Sequence, residues 1–163
     1  MSVIKNIINT EFLWNEVRVK GGAYGCGAGF DRYGGVYAYS YRDPNVASTY
    51  KNFRDIGSFL KNVSLSEKDI VRYTLGAVNV ADRPKSNADR FETALSRYIN
   101  GYSKEDVQKE RDELLSVCAN DVKVFGEIFD KSMENNAVCT FGSETKIREN
   151  SQMFEEIRKL YKR

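Results

Sequence analysis

Apolar positions along the chain fall into helical and strand-like registers in turn. Ile4, Ile7, Ile8, Phe12 and Leu13 recur at helical spacing and predict a first helix over about residues 3–17, ended by Gly21-Gly22. Residues 24–30 and 36–41 alternate with period two and predict a hairpin, joined by Asp31-Arg32-Tyr33-Gly34-Gly35. The alternation puts Tyr37, Tyr39 and Tyr41 on one face of the second strand, where packing against a helix is expected. Asp43-Pro44 predicts a helix start, Asp capping free N–H groups and Pro taking the first helical position, with Val46, Tyr50, Phe53, Gly57 and Leu60 as its stripe. Ser64 and Glu67 form a capping-box signature ahead of a helix that carries Ile70, Val71, Leu75 and Val78 on one face, broken at Arg83-Pro84. Phe91, Ala94, Leu95 and Tyr98 mark the next helix, with Gly101 as its stop. After a polar run, Leu114, Leu115, Cys118, Val122, Phe125 and Phe129 predict one long helix or two joined near Asn120. Residues 137–141 predict a buried central strand that turns into a helix at Gly142-Ser143. No repeat or linker interrupts the pattern. The expected architecture is a single domain over residues 1–163, α+β and helix-rich, with an antiparallel or mixed sheet packed against helices.

Composition narrows the function. A hydrophobic content of 41% and a charged content of 29% suit a soluble globular chain, and no window reaches membrane-spanning length. With no signal-peptide pattern at the start, a cytoplasmic location is expected. Twenty-five basic against 23 acidic residues, net +2, give no electrostatic reason to expect nucleic acid as a partner. Cys26, Cys118 and Cys139 are odd in number and far apart, which argues against a disulfide framework and predicts reduced, mostly buried thiols. The chain has no histidine, so Ser-His-Asp, Cys-His and His-based zinc sites are excluded within it. No D-x-D-x-D-G loop is present either, and no metal site is expected in this chain.

The stretch RVKGGAYGCGAGF carries five glycines between Arg18 and Phe30. It lacks the G-x-x-x-x-G-K-[ST] spacing of a phosphate loop, and Gly25, Gly27 and Gly29 alternate as in a strand rather than opening a helix as a dinucleotide fingerprint does. Small residues on one strand favour close approach of another backbone, so the segment suits an extended peptide or a neighbouring domain.

LWNEVRVKGGAYGCGAGF, followed by YSYRDPN and later by VCTFGSETKI, resembles the C-terminal part of insulinase/pitrilysin-type zinc metallopeptidases, nearest to the presequence-protease branch, over about residues 4–147. The resemblance implies one domain of four in a clamshell whose first domain carries the inverted motif H-x-x-E-H. This chain would then be the last, non-zinc-binding domain, inactive alone, with zinc held by the N-terminal domain of the parent enzyme. Its partners would be that zinc-bearing half and a peptide substrate, and self-association of the isolated domain is expected. The resemblance also implies that Arg18 and Tyr24 reach across the chamber towards the substrate carbonyl, with Gly21, Gly22, Ala23 and Gly25 as the substrate-binding backbone beside them. A phenol O–H remains a donor at neutral pH and Arg offers a fixed fork of charge-bearing donors, as a developing oxyanion requires. The alternative is a structural or interaction protein that keeps the peptidase fold and binds a protein partner without proteolysis.

Overall fold

α1 (Ser2–Ile7) runs without a break into a π-helical segment, Ile8–Lys20, in the computed structural model, which describes residues 1–31, 34–134 and 137–159. The buried positions Ile8, Leu13 and Val17 are spaced five and then four apart, wider than the roughly 3.6 residues of an α-turn. The helix continues past residue 17, where the apolar pattern predicts its end, to Lys20. Gly21 closes it, and Gly22 takes φ +79°, a left-handed backbone open to glycine without a Cβ penalty. The N–H groups of Gly22 and Ala23 donate back to the carbonyls of Arg18 (2.9 Å) and Val17 (3.2 Å).

β1 (Gly25–Phe30) and β2 (Val36–Tyr41) pair antiparallel, with Gly25 opposite Tyr41, Gly27 opposite Tyr39 and Gly29 opposite Tyr37. Theirs is the one sheet among the described residues; Arg32 and Tyr33 of the expected loop lie outside those residues. One face rests on the first helix and on the core. Ala28 is buried there, donating its N–H to Asn9 Oδ1 (2.7 Å) and accepting from Asn9 Nδ2 (3.4 Å), so a helix side chain takes the place of a further strand. On the other face Tyr37, Tyr39 and Tyr41 are half exposed, which corrects the expectation that a helix covers them. Their rings lie over the glycines opposite: a Cβ added to Gly25, Gly27 or Gly29 would come within 2.1, 2.9 or 2.4 Å of Tyr41, Tyr39 or Tyr37 respectively. The close approach these glycines permit is therefore to rings of the paired strand, not to another backbone.

α2 (Ala47–Asn62) starts after Val46, not at Asp43-Pro44. Asp43 instead closes the preceding turn, accepting from the Asn45 N–H (2.9 Å) and the Thr49 hydroxyl (2.7 Å). α3 (Glu67–Ala81) is capped by Ser66 with Asp69, two residues beyond the expected Ser64 and Glu67, because Asp69 reaches both the backbone and the hydroxyl of Ser66. Its buried face is Ile70, Tyr73, Thr74 and Ala77, leaving Val71 and Leu75 of the expected face in solvent. α4 (Asn87–Ile99) exposes Phe91, Leu95 and Tyr98. The polar run and the stripe beyond it form two helices, α5 (Lys104–Leu115) and α6 (Ala119–Met133), and α6 crosses α2 where Gly57 meets Gly126. Ile7, Ile8, Leu13, Ile56, Leu60 and Phe129 form the centre of the core.

Residues 137–141 join no sheet among the described residues, and Phe141 is exposed, so the predicted buried central strand is not formed. The Tyr50 hydroxyl holds the segment against α2 instead, donating to the Cys139 carbonyl and pairing with Thr140 Oγ1, both at 2.9 Å. A cleft of about 590 Å³ separates it from β2. α7 (Glu144–Glu149) follows. Cys118 and Cys139 are exposed and Cys26 is partly buried, which corrects the expectation of mostly buried thiols.

Candidate functional site

Residues 18–25 and 41–45 clasp one another at the start of the hairpin. Arg18 occupies the last turn of the first helix, and its guanidinium carbon lies 4.0 Å from the Trp14 ring centroid. Tyr24 follows the glycine bend and is 58% exposed. Its N–H donates to the Arg42 carbonyl (3.2 Å), its ring meets Tyr41 edge-on at 5.5 Å, and the Arg42 guanidinium carbon stands 5.3 Å from the ring centroid. The Gly21 carbonyl accepts from Asn45 Nδ2 (2.6 Å), and Gly22 turns beside Pro44. Ala23 is buried, its N–H held by the Val17 carbonyl, and the open side of Gly25 is covered by Tyr41.

Arg42, Asp43 and Asn45 lie in the YSYRDPN motif, but sequence reasoning gives none of them a role at the site. Arg42 has φ +47°, the one non-glycine positive φ among the described residues, and a strained backbone of this kind concentrates at functional sites. The sequence carries no signal for it, because arginine disfavours that conformation. Burial pushes the Cys26 thiol up, against the opposing pull of Arg18, and its S–H donates to the Leu13 carbonyl (3.2 Å); a thiol so held is a packing group, not a nucleophile.

Among the described residues no three His, Cys, Asp or Glu side chains gather as metal ligands, and the sequence has no histidine. The residues present do not fit a zinc site. No helix among the described residues is long and apolar enough to cross a membrane. The site thus offers hydrogen-bond donors rather than metal ligands: an exposed phenol after the glycine bend, and a guanidinium on the helix that leads into it.

The chain matches the family model of the PreP C-terminal domain over residues 1–143. It is similar to Protein HypA of Clostridium perfringens (36% identical over 162 residues, covering 99% of this chain and 17% of that protein). It is also similar to Presequence protease 1, chloroplastic/mitochondrial, of Arabidopsis thaliana (30% over 158 residues, 94% of this chain, 15% of that protein). The mitochondrial presequence protease of Emericella nidulans is 35% identical over 162 residues, 98% of this chain and 15% of that protein. The chain spans 15–17% of the length of these relatives. The fold and its match define a domain of a peptidase family. The chain belongs to the PreP C-terminal domain family.

Proposed function

We propose that this chain is the substrate-side domain of a zinc-dependent metalloendopeptidase that degrades peptides, with the zinc held by another, N-terminal segment of that peptidase. Tyr24 donates its O–H to the carbonyl oxygen as negative charge develops there during peptide hydrolysis, and Arg18 binds substrate carbonyls. Gly21 and Gly22 form the backbone that an extended peptide passes, with the buried Ala23 and the Tyr41-covered Gly25 supporting the bend behind them. The observation that carries this reading is the exposed Tyr24 phenol, held at its main chain by Arg42 and at its ring by Tyr41. A donor fixed in advance stabilises developing charge without reorganising at the moment of reaction. The exposed stripe Phe91, Leu95 and Tyr98 is the surface offered to the rest of the peptidase.

The test is a chimaera in which this chain replaces the matching segment of the Emericella nidulans presequence protease. The chimaera cleaves peptides, and Tyr24→Phe lowers kcat by about 10²–10³-fold with a smaller change in KM. A folded chimaera without peptidase activity, or a Tyr24→Phe form that works at the parent rate, overturns the reading.

A further inference from the structure

We propose that Arg42 is a positioning residue for Tyr24, fixing its main chain through a strained turn and its ring through a guanidinium. The proposal rests on the reading of Tyr24 as the oxyanion donor. Gly25 and Tyr41 are the last register pair of the hairpin, and beyond them Arg42 takes φ +47°. That left-handed turn presents its carbonyl to the Tyr24 N–H at 3.2 Å. The turn is locked from the far side. Asp43 holds the Asn45 N–H (2.9 Å) and the Thr49 hydroxyl (2.7 Å), and Asn45 Nδ2 grips the Gly21 carbonyl (2.6 Å) on the other flank of the bend. The main chain at Tyr24 and at Gly21 ahead of it is thereby tied to residues 42–45, and Gly25 after it pairs with Tyr41.

The ring is held separately. The Arg42 guanidinium carbon stands 5.3 Å from the Tyr24 centroid, within cation–π range, while Tyr41 meets the ring edge-on at 5.5 Å and 64°. Glycine would adopt the turn without strain. An arginine in its place keeps the turn and adds a cation over the ring, so the side chain is what the strain retains. A phenol that is 58% exposed has few other contacts to fix it, and a donor must be placed to a fraction of an ångström to act in a transition state.

The chimaera described above tests this. Arg42→Gly keeps the turn and removes the cation, and lowers kcat by about two- to fivefold, the worth of an exposed cation–π contact. Arg42→Val, whose branched Cβ opposes a left-handed backbone, lowers kcat by about 10- to 100-fold, as expected for a misplaced group. KM stays within about twofold in both, and both effects vanish in a Tyr24→Phe background. If Tyr24→Phe is impaired while Arg42→Gly and Arg42→Val run at the parent rate, the positioning role falls and the Tyr24 reading stands. A Tyr24→Phe form at the parent rate removes both. Losses that persist undiminished in the Tyr24→Phe background show a general structural defect and overturn the proposal.

Discussion

The Tyr41 ring lies across Gly25 so closely that a Cβ on that glycine would stand 2.1 Å from Tyr41 Cε1, and the same ring supports Tyr24 edge-on at 5.5 Å. Tyr37 covers Gly29 in the same way, with 2.4 Å to an added Cβ, but is not in ring contact with Tyr24. In both cases the clash is with the far end of a side chain that can swing aside. Gly25→Ala and Gly29→Ala are each expected to cost about 1 kcal/mol or less, measured by urea unfolding of the chain. Only Gly25→Ala is expected to slow peptide cleavage in the chimaera, because only it displaces the ring beside Tyr24. Equal activity in the two variants would show that Tyr41 does not support the donor.

Helical glycines divide by what an added methyl would meet. At the crossing of α2 and α6 a Cβ on Gly126 would stand 2.8 Å from the Gly57 carbonyl oxygen and 3.1 Å from the Lys61 nitrogen, both backbone. Gly126→Ala is therefore expected to force the helices apart and cost about 1–3 kcal/mol. In α3 a Cβ on Gly76 meets nothing nearer than Asn6 Nδ2 at 3.4 Å. Gly76→Ala should stabilise by about 0.8–1 kcal/mol, since the helix gains propensity without a clash. Urea midpoints moving in the same direction for both would contradict the assigned packing.

The local elements were legible because their causes are local. Alternating glycine and tyrosine residues specify the hairpin, and the family resemblance, resting on RVKGGAYG and SYRDPN, agrees with the match over residues 1–143. What the chain does with those elements was less legible. Period two places Tyr37, Tyr39 and Tyr41 on one face but cannot say whether a helix or the glycines opposite receive them. Apolar content likewise made residues 137–141 look like a central strand, although a strand needs a backbone partner that composition does not encode. For the proposed site, the motif offers Tyr24 and Arg18 as candidates. It does not offer Arg42, because its role depends on a left-handed φ that its residue type disfavours.

Alkaline pH should weaken the contact between the first helix and α3. Burial, and then the hydrogen bond to the Glu11 carboxylate, hold the Tyr73 phenol up from 10.0 to about 12. Below about pH 10 the phenol is protonated whether the chain is folded or not, and its contribution is fully present. Between about pH 10 and 12 the unfolded chain releases the proton and the folded one keeps it, so stability falls as pH rises through the folded value. Urea midpoints across this range should decline, and Tyr73→Phe should remove part of the slope. An unchanged slope in that variant would assign the decline to other groups.

Acid acts on the helix starts with the opposite sign. The carboxyls of Asp69, Asp89 and Asp106 are held below their ordinary value of 3.8, the first two chiefly by the Ser66 and Ser86 hydroxyls and the third chiefly by the Ser103 N–H. Their stabilisation is present above that ordinary value and is lost as pH falls through the lower folded values. Helix content measured by circular dichroism should drop over that acid range. Replacing Ser66, Ser86 and Ser103 together by Ala removes the hydroxyl partners. The drop should then begin at higher pH, and an unshifted acid transition would show that the caps do not govern it.

Arg18 and Trp14 give the substrate-binding half of the proposal an independent readout. Trp14 is the sole tryptophan of the chain, 48% exposed, with the Arg18 guanidinium carbon 4.0 Å from its ring centroid. Stacking orders a long side chain at the end of its helix, so the fork is already arranged when a peptide arrives. Arg18→Ala should change the Trp14 emission of the free chain and raise KM in the chimaera, because its donors hold substrate carbonyls in ground and transition states alike. Arg18→Lys restores the charge but not the planar fork, and should recover KM only in part. Trp14→Ala leaves the guanidinium intact but unstacked. Since an exposed cation–π contact is worth about 0.5–1 kcal/mol, its effect on KM should not exceed about fivefold. That effect should disappear when Arg18 is already Ala. A Trp14→Ala change that raises KM equally with and without Arg18 would mean that the indole itself meets the peptide and that Arg18 is not the group it serves.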